Sequence, residues 1–115
     1  MKATIVFATL LNPFKSALMH YIYVLLSEKD GKFYTGYSED LKRRFEEHRK
    51  GKVASTKKRL PVHLVYYEAC VSERDARHRE RYLKTYLGKL FLRNRLKSYL
   101  TGCKFVLTRS ARKKN

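Results

Sequence analysis

The chain has 115 residues, the size of one domain, and is 43% apolar with two prolines and five glycines, which excludes a wholly disordered or collagen-like polymer. Lysine and arginine number 27 against 10 acids, a formal charge of +17. So cationic a monomer repels itself unless a polyanion offsets the charge, which makes nucleic acid the leading partner and leaves an anionic membrane surface or the ribosome as weaker readings. The acids all lie between Glu28 and Glu80, and Arg81–Asn115 carries eleven basic residues and no carboxylate. Cys70 and Cys103 are too few and too far apart for a disulfide scaffold or a zinc site, so a cytoplasmic location is expected.

Residues 1–19 are apolar and close on a second methionine. A secretory leader is one reading, but Asn12-Pro13 interrupts the run and no small-residue cleavage pattern follows. The favoured reading is an N-terminal extension, with a domain over 20–101 and a basic tail over 102–115. Tyr21–Ser27 is rich in β-formers, Asp30-Gly31 makes a turn, and Lys32–Tyr37 is a second strand, together a β-hairpin. Ser38 reads as the N-cap of a helix over 39–50 that ends at Gly51, with Leu41, Phe45 and His48 on one face. A basic loop over 52–60 leads to a third strand, Pro61–Cys70. Ser72 caps a second helix, about 73–87, stopped by Gly88, and a third runs about 89–100 with a stripe of Leu92, Leu96, Tyr99 and Leu100. The expected fold is α+β, a small three-stranded antiparallel sheet packed with helices in the order β-β-α-β-α-α.

The second helix holds an anomaly. Ala76, Leu83 and Leu87 form its core stripe, and Glu80 falls among them. A carboxylate on a buried face costs several kcal/mol unless it is paired or holds a cation. The bland reading is an Arg–Glu pair closing a polar core. The functional reading is a ligand for Mg²⁺, which takes only one or two protein carboxylates beside water and phosphate oxygens. Arg44, next to Phe45 and His48, is placed to look back towards the sheet and suits a phosphate or Glu80. His48 by itself reads as a satisfied core-edge imidazole. Tyr21, Tyr23, Tyr34 and Tyr37 alone read as hairpin packing.

Taken together these residues resemble the GIY-YIG nuclease superfamily: Tyr21-Ile22-Tyr23, ten residues, Tyr34-Thr35-Gly36, Arg44 ten residues after Tyr34, then a helical Glu80. The resemblance covers about Met19–Leu100 and is closest to small stand-alone bacterial members similar to the nuclease part of the excinuclease C subunit. It implies a divalent-metal-dependent endonuclease acting on DNA rather than RNA, in repair or processing of branched or damaged DNA. By the same resemblance Tyr23 and Tyr34 line the site, Arg44 holds the scissile phosphate, His48 occupies a His/Tyr position, Glu80 is the sole protein ligand of Mg²⁺ (or Mn²⁺), and Asn94 matches a site Asn. Two backbone positions depart from the pattern, Tyr21 for Gly and Thr35. Tyr37 replaces a Lys that excinuclease-type members carry near the base.

Lys42, Lys57, Lys58, Arg59, Lys89, Arg93 and Arg95 are expected to contact phosphates without reading sequence. A second function class is a non-catalytic RNA- or ribosome-associated binder on the same fold, and a weaker third is a membrane-surface protein using both termini. A pure binder has no need of Glu80 on the buried stripe.

Overall fold

In the computed structural model residues 18–103 are described. The expectations for most of the apolar extension and of the basic tail lie outside the described residues. Strand β1 (His20–Ser27) is central, flanked by β2 (Phe33–Ser38) and β3 (Val62–Cys70), all antiparallel in the order β2-β1-β3. Every β1 residue but Tyr21 is buried, because helices cover both faces of the sheet. At the hairpin Gly31 takes φ 68°, the left-handed conformation for which its lack of a Cβ suits it. Ser27 closes the turn, its Oγ accepting from the Lys29 and Asp30 amides.

Helix α1 (Leu41–Arg49) begins two residues later than the sequence pattern indicates. Ser38 is still paired with Tyr21 in the sheet, so the cap passes to Asp40, whose carboxylate accepts from the Arg43 amide at 3.1 Å. A short 3₁₀ turn at Lys57–Arg59 precedes β3. Ser72 caps α2 (Glu73–Leu83) as expected.

The next boundary differs from the expectation. Helix α2 stops at Leu83, Thr85 caps α3 (Tyr86–Arg95), and α4 (Lys97–Thr101) follows. Gly88 therefore stops nothing. It lies inside α3 where that helix crosses the end of α2, and a Cβ there would sit 2.1 Å from the Tyr82 carbonyl oxygen and 2.5 Å from Leu83 Cα. The break also turns Leu87 out of the core, and Tyr99 is exposed as well. Of the expected third-helix stripe, Leu92 is fully buried, while Leu96 and Leu100 are half-buried.

Strand alternation sends two apolar clusters to opposite faces. Ile22 and Val24 pack with Ala76 and Leu83 of α2 and Leu92 of α3. Tyr23 and Leu25 pack with Val62, Tyr34 and the α1 residues Leu41 and Phe45. The first face also holds an ion pair that periodicity does not reveal. Arg79 grips both oxygens of Glu68 on β3 at 3.0–3.2 Å and lies 4.9 Å from the centre of the Phe91 ring. Arg77 stacks 3.8 Å over Tyr37.

Gly88→Ala should lower stability in urea unfolding by about 1–3 kcal/mol, since it forces backbone apart. Gly102→Ala, where φ is −85° and the nearest atom to a new Cβ is 3.7 Å away, should be close to neutral.

Candidate functional site

The hairpin and α1 bring four of the expected side chains together. Tyr23 lies opposite Gly36 in the β1–β2 register, and its ring passes directly over that glycine. A Cβ at position 36 would sit 2.4 Å from both Cζ and the hydroxyl of Tyr23. The second motif thus needs glycine to let the first motif's phenol cross the edge strand.

Beyond Gly36 the Tyr23 hydroxyl meets His48 Nε2 at 2.7 Å, and His48 Nδ1 meets Thr56 Oγ1 at 2.7 Å. His48 and Thr56 are fully buried. Burial, and next to it the positive charge of Arg44, hold the imidazole pKa down at about 4. It is therefore neutral at pH 7. Burial pushes the Tyr23 phenol up to about 12, only partly opposed by a hydrogen bond from Arg44. A neutral imidazole donates from one ring nitrogen and accepts at the other, so the two bonds run in one direction along Tyr23, His48 and Thr56. The chain of bonds is complete and uncharged.

Tyr34 lies alongside, its ring centre 5.2 Å from that of His48 and 6.4 Å from that of Tyr23. It is half-buried, and Ser55 Oγ donates to its oxygen at 3.2 Å. Arg44 projects from α1, supported by Glu47 Oε1 at 3.1 Å. Glu80 comes from α2 on the other face of the sheet. Its side chain is only 14% exposed, Lys84 Nζ binds one oxygen at 3.0 Å, and its charge is felt at the Tyr23 hydroxyl. The partner is thus a lysine one turn along the same helix, not the arginine of the bland sequence reading.

The other expected residues are placed differently. Asn94 is exposed on α3 and makes no hydrogen bond to this group. Lys42, Lys57 and Lys58 are exposed on the α1 side, and Lys89, Arg93 and Arg95 on α3. Arg59 differs from its expected role: its guanidinium is bound by Asp30 at 2.8 Å and donates to the carbonyls of Lys32 and Phe33. It braces the hairpin against the loop before β3. Ser55, Thr56 and Lys84 escaped sequence reasoning. Only the pairing demands of a buried imidazole, a phenol and a carboxylate point to such partners.

Among the described residues, three metal-ligating side chains also converge elsewhere. Ligand atoms of His20, Glu39 and Glu73 lie within 4.8 Å of one another, and His20 Nδ1 is already bonded to the Tyr37 hydroxyl at 2.6 Å. No described helix is long and apolar enough to cross a membrane.

The profile of the GIY-YIG catalytic domain matches residues 19–94, the span that contains this constellation. The chain belongs to the GIY-YIG family. It is 43% identical over 75 residues to the UPF0213 protein of Staphylococcus aureus strain Mu3 and, equally, to UPF0213 protein SAV0488 of strain Mu50, an alignment covering 64% of this chain and 90% of each relative. It is similar to the solution NMR structure of UPF0213 protein BH0048 from Bacillus halodurans, with 34% identity, a TM-score of 0.42, and coverage of 79% of this chain and 95% of that one.

The neutral buried His48 has a measurable consequence. Its folded pKa of about 4 lies below the ordinary imidazole value of 6.5, so between those values the unfolded chain binds the extra proton and stability falls as the pH drops. The Tm of the wild type should decline through that window with a slope worth up to one proton, and His48→Gln should remove that part of the decline.

Proposed function

We propose that this protein is a divalent-metal-dependent endonuclease that hydrolyses phosphodiester bonds in DNA, using Tyr23, Tyr34, Arg44, His48 and Glu80. The observation that carries this reading is a buried Tyr23–His48 pair next to Arg44, together with a carboxylate, Glu80, that is only 14% exposed, on a chain of charge +17.

The Glu80 carboxylate suits Mg²⁺ or Mn²⁺. Its bonded partner among the described residues is a flexible ammonium, itself 54% exposed and free to swing into solvent, and such ions complete their shells with water and phosphate oxygens. When bound there, the ion would polarise a phosphate oxygen and stabilise the departing oxyanion. Arg44 supplies fixed positive charge where the transition state gains negative charge. Tyr23, held protonated by burial and bonded to neutral His48, orients rather than accepts a proton.

That leaves Tyr34 as the base, taking a proton from the attacking water as the new P–O bond forms and the old one breaks. Ser55 donates to the Tyr34 oxygen at 3.2 Å and so holds the phenol in place. The exposed lysines and arginines of α1, the 52–60 loop and α3 hold the strand through its phosphates, and Asn94 lies at the α3 margin of that surface. Processing of branched or damaged DNA in the cytoplasm is the role we assign.

The alternative is a nucleic-acid-binding protein without catalysis. The Glu80–Lys84 pair favours it, because it closes the polar group without any metal. Incubation with Mg²⁺, Mn²⁺ or chelator decides between them. Cleavage of labelled DNA should require the metal. Glu80→Gln should reduce cleavage by at least 100-fold, about the effect of one electrostatic group at a reacting phosphate, and should bind DNA as the wild type does. Metal-independent cleavage, or full activity in Glu80→Gln, overturns the metal role. Tyr34→Phe should lose turnover by about 10²–10⁴-fold with unchanged unfolding, and wild-type turnover in it would make Tyr34 structural only.

A further inference from the structure

The break between α2 and α3 turns Leu87, which a continued helix would carry on its core stripe, out to solvent beside two further apolar side chains. Tyr86 is 76% exposed, Leu87 61% and Leu90 41%. At spacings of one, three and four residues these side chains share the outer half of α3, since Gly88 and Leu92 occupy its inner face. Contiguous apolar side chains rimmed by charged ones are the pattern of an interaction site. The patch begins two residues after Lys84, whose ammonium holds the Glu80 carboxylate.

Charge identifies the occupant. Lys84, Lys89 and Arg93 lie among the three apolar residues and are exposed, and no carboxylate follows Glu80 in the sequence. A second copy of this chain would bring the same charge of +17 to the contact. A polyanion that also offers flat apolar faces meets both halves of the surface, and nucleic acid with unstacked bases is such a ligand.

We propose that Tyr86 and Leu87, with Leu90 behind them, form a wedge that stacks on bases exposed at a break or branch in the duplex, so that the protein selects interrupted DNA over continuous duplex. This deepens the nuclease reading and rests on it for the substrate. Lys89 and Arg93 hold phosphates on either kind of DNA. The wedge adds affinity only where a base is free to meet it.

The test is binding of the full-length protein, in chelator so that nothing is cut, to fluorescent duplexes of one sequence, continuous or carrying a single-nucleotide gap. The wild type should favour the gapped duplex. Tyr86→Ala and Leu87→Ala should each weaken that binding by about 5- to 150-fold, the range for loss of one base stack, and leave the continuous duplex within about twofold. Tyr86→Phe should retain the preference. Lys89→Ala should weaken both equally and flatten the salt dependence by about one phosphate contact. Equal loss on both duplexes in the Tyr86 and Leu87 variants, or no loss on either, overturns the wedge. So does a wild type that sediments as a dimer and becomes monomeric on Tyr86→Ala. Because binding is read without cleavage, failure of the wedge is distinct from failure of the nuclease reading, which is decided by the metal and Glu80 dependence of cutting.

Discussion

The hydroxyl of Tyr23 is the point from which the functional side of the molecule is organised. It sits at the end of a ring rooted in the middle strand of the sheet, passes over the one residue in β2 that lacks a Cβ, and ends in a bond to a buried imidazole. Burial raises its pKa to about 12 and lowers that of His48 to about 4. The two shifts run in opposite directions for a phenol and an imidazole but share their largest cause, the cost of charge in a dry site. The result is a neutral hydrogen-bonded rod, from Tyr23 through His48 to Thr56, that ties the hairpin, α1 and the loop before β3 into one rigid unit. Charged groups are then arranged around an uncharged support.

That arrangement separates the two phenols by environment. Tyr23 is enclosed and keeps its proton. Tyr34, one strand over, is half-buried and has its oxygen bonded by Ser55. Two tyrosines that are near-equivalent in the sequence motif thus have different surroundings, and the division of labour proposed for them follows from burial. Glu80 reaches the same neighbourhood from the helix layer on the opposite face, so the constellation depends on the sheet and both of its covering layers.

The α2–α3 junction has a different logic. Ala76, Glu80, Leu83 and Leu87 continue one stripe on a helical wheel, so nothing in that periodicity marks an end at Leu83. Thr85 supplies a side-chain cap to the Gly88 amide at 3.1 Å, and Gly88 allows the backbones to approach closely. Gly88 carries a structural signal in either reading, but its meaning changes from a stop to a crossing. The same rearrangement moves Leu87 from an expected core position to the surface beside Tyr86, the origin of the apolar edge on an otherwise basic helix.

Strands, hairpin turn and helix order were legible in the amino-acid sequence, and so was the candidate set Tyr23, Tyr34, Arg44, His48 and Glu80, because alternation, turn chemistry, helical spacing and motif offsets are local or one-dimensional properties. Glu80 stood out since an acid on an apolar stripe demands a partner wherever the chain folds. The identity of the partners was not legible. Lys84 for Glu80, Thr56 for His48, Ser55 for Tyr34, Glu68 for Arg79 and Asp30 for Arg59 were settled by the tertiary structure. A basic residue in a chain with 27 of them carries no mark of which carboxylate it will meet. Only the three-dimensional packing, which decides what is dry and what is within 3 Å of what, separates Arg59, which braces a hairpin, from Arg44, which is held by Glu47 beside the buried Tyr23–His48 pair.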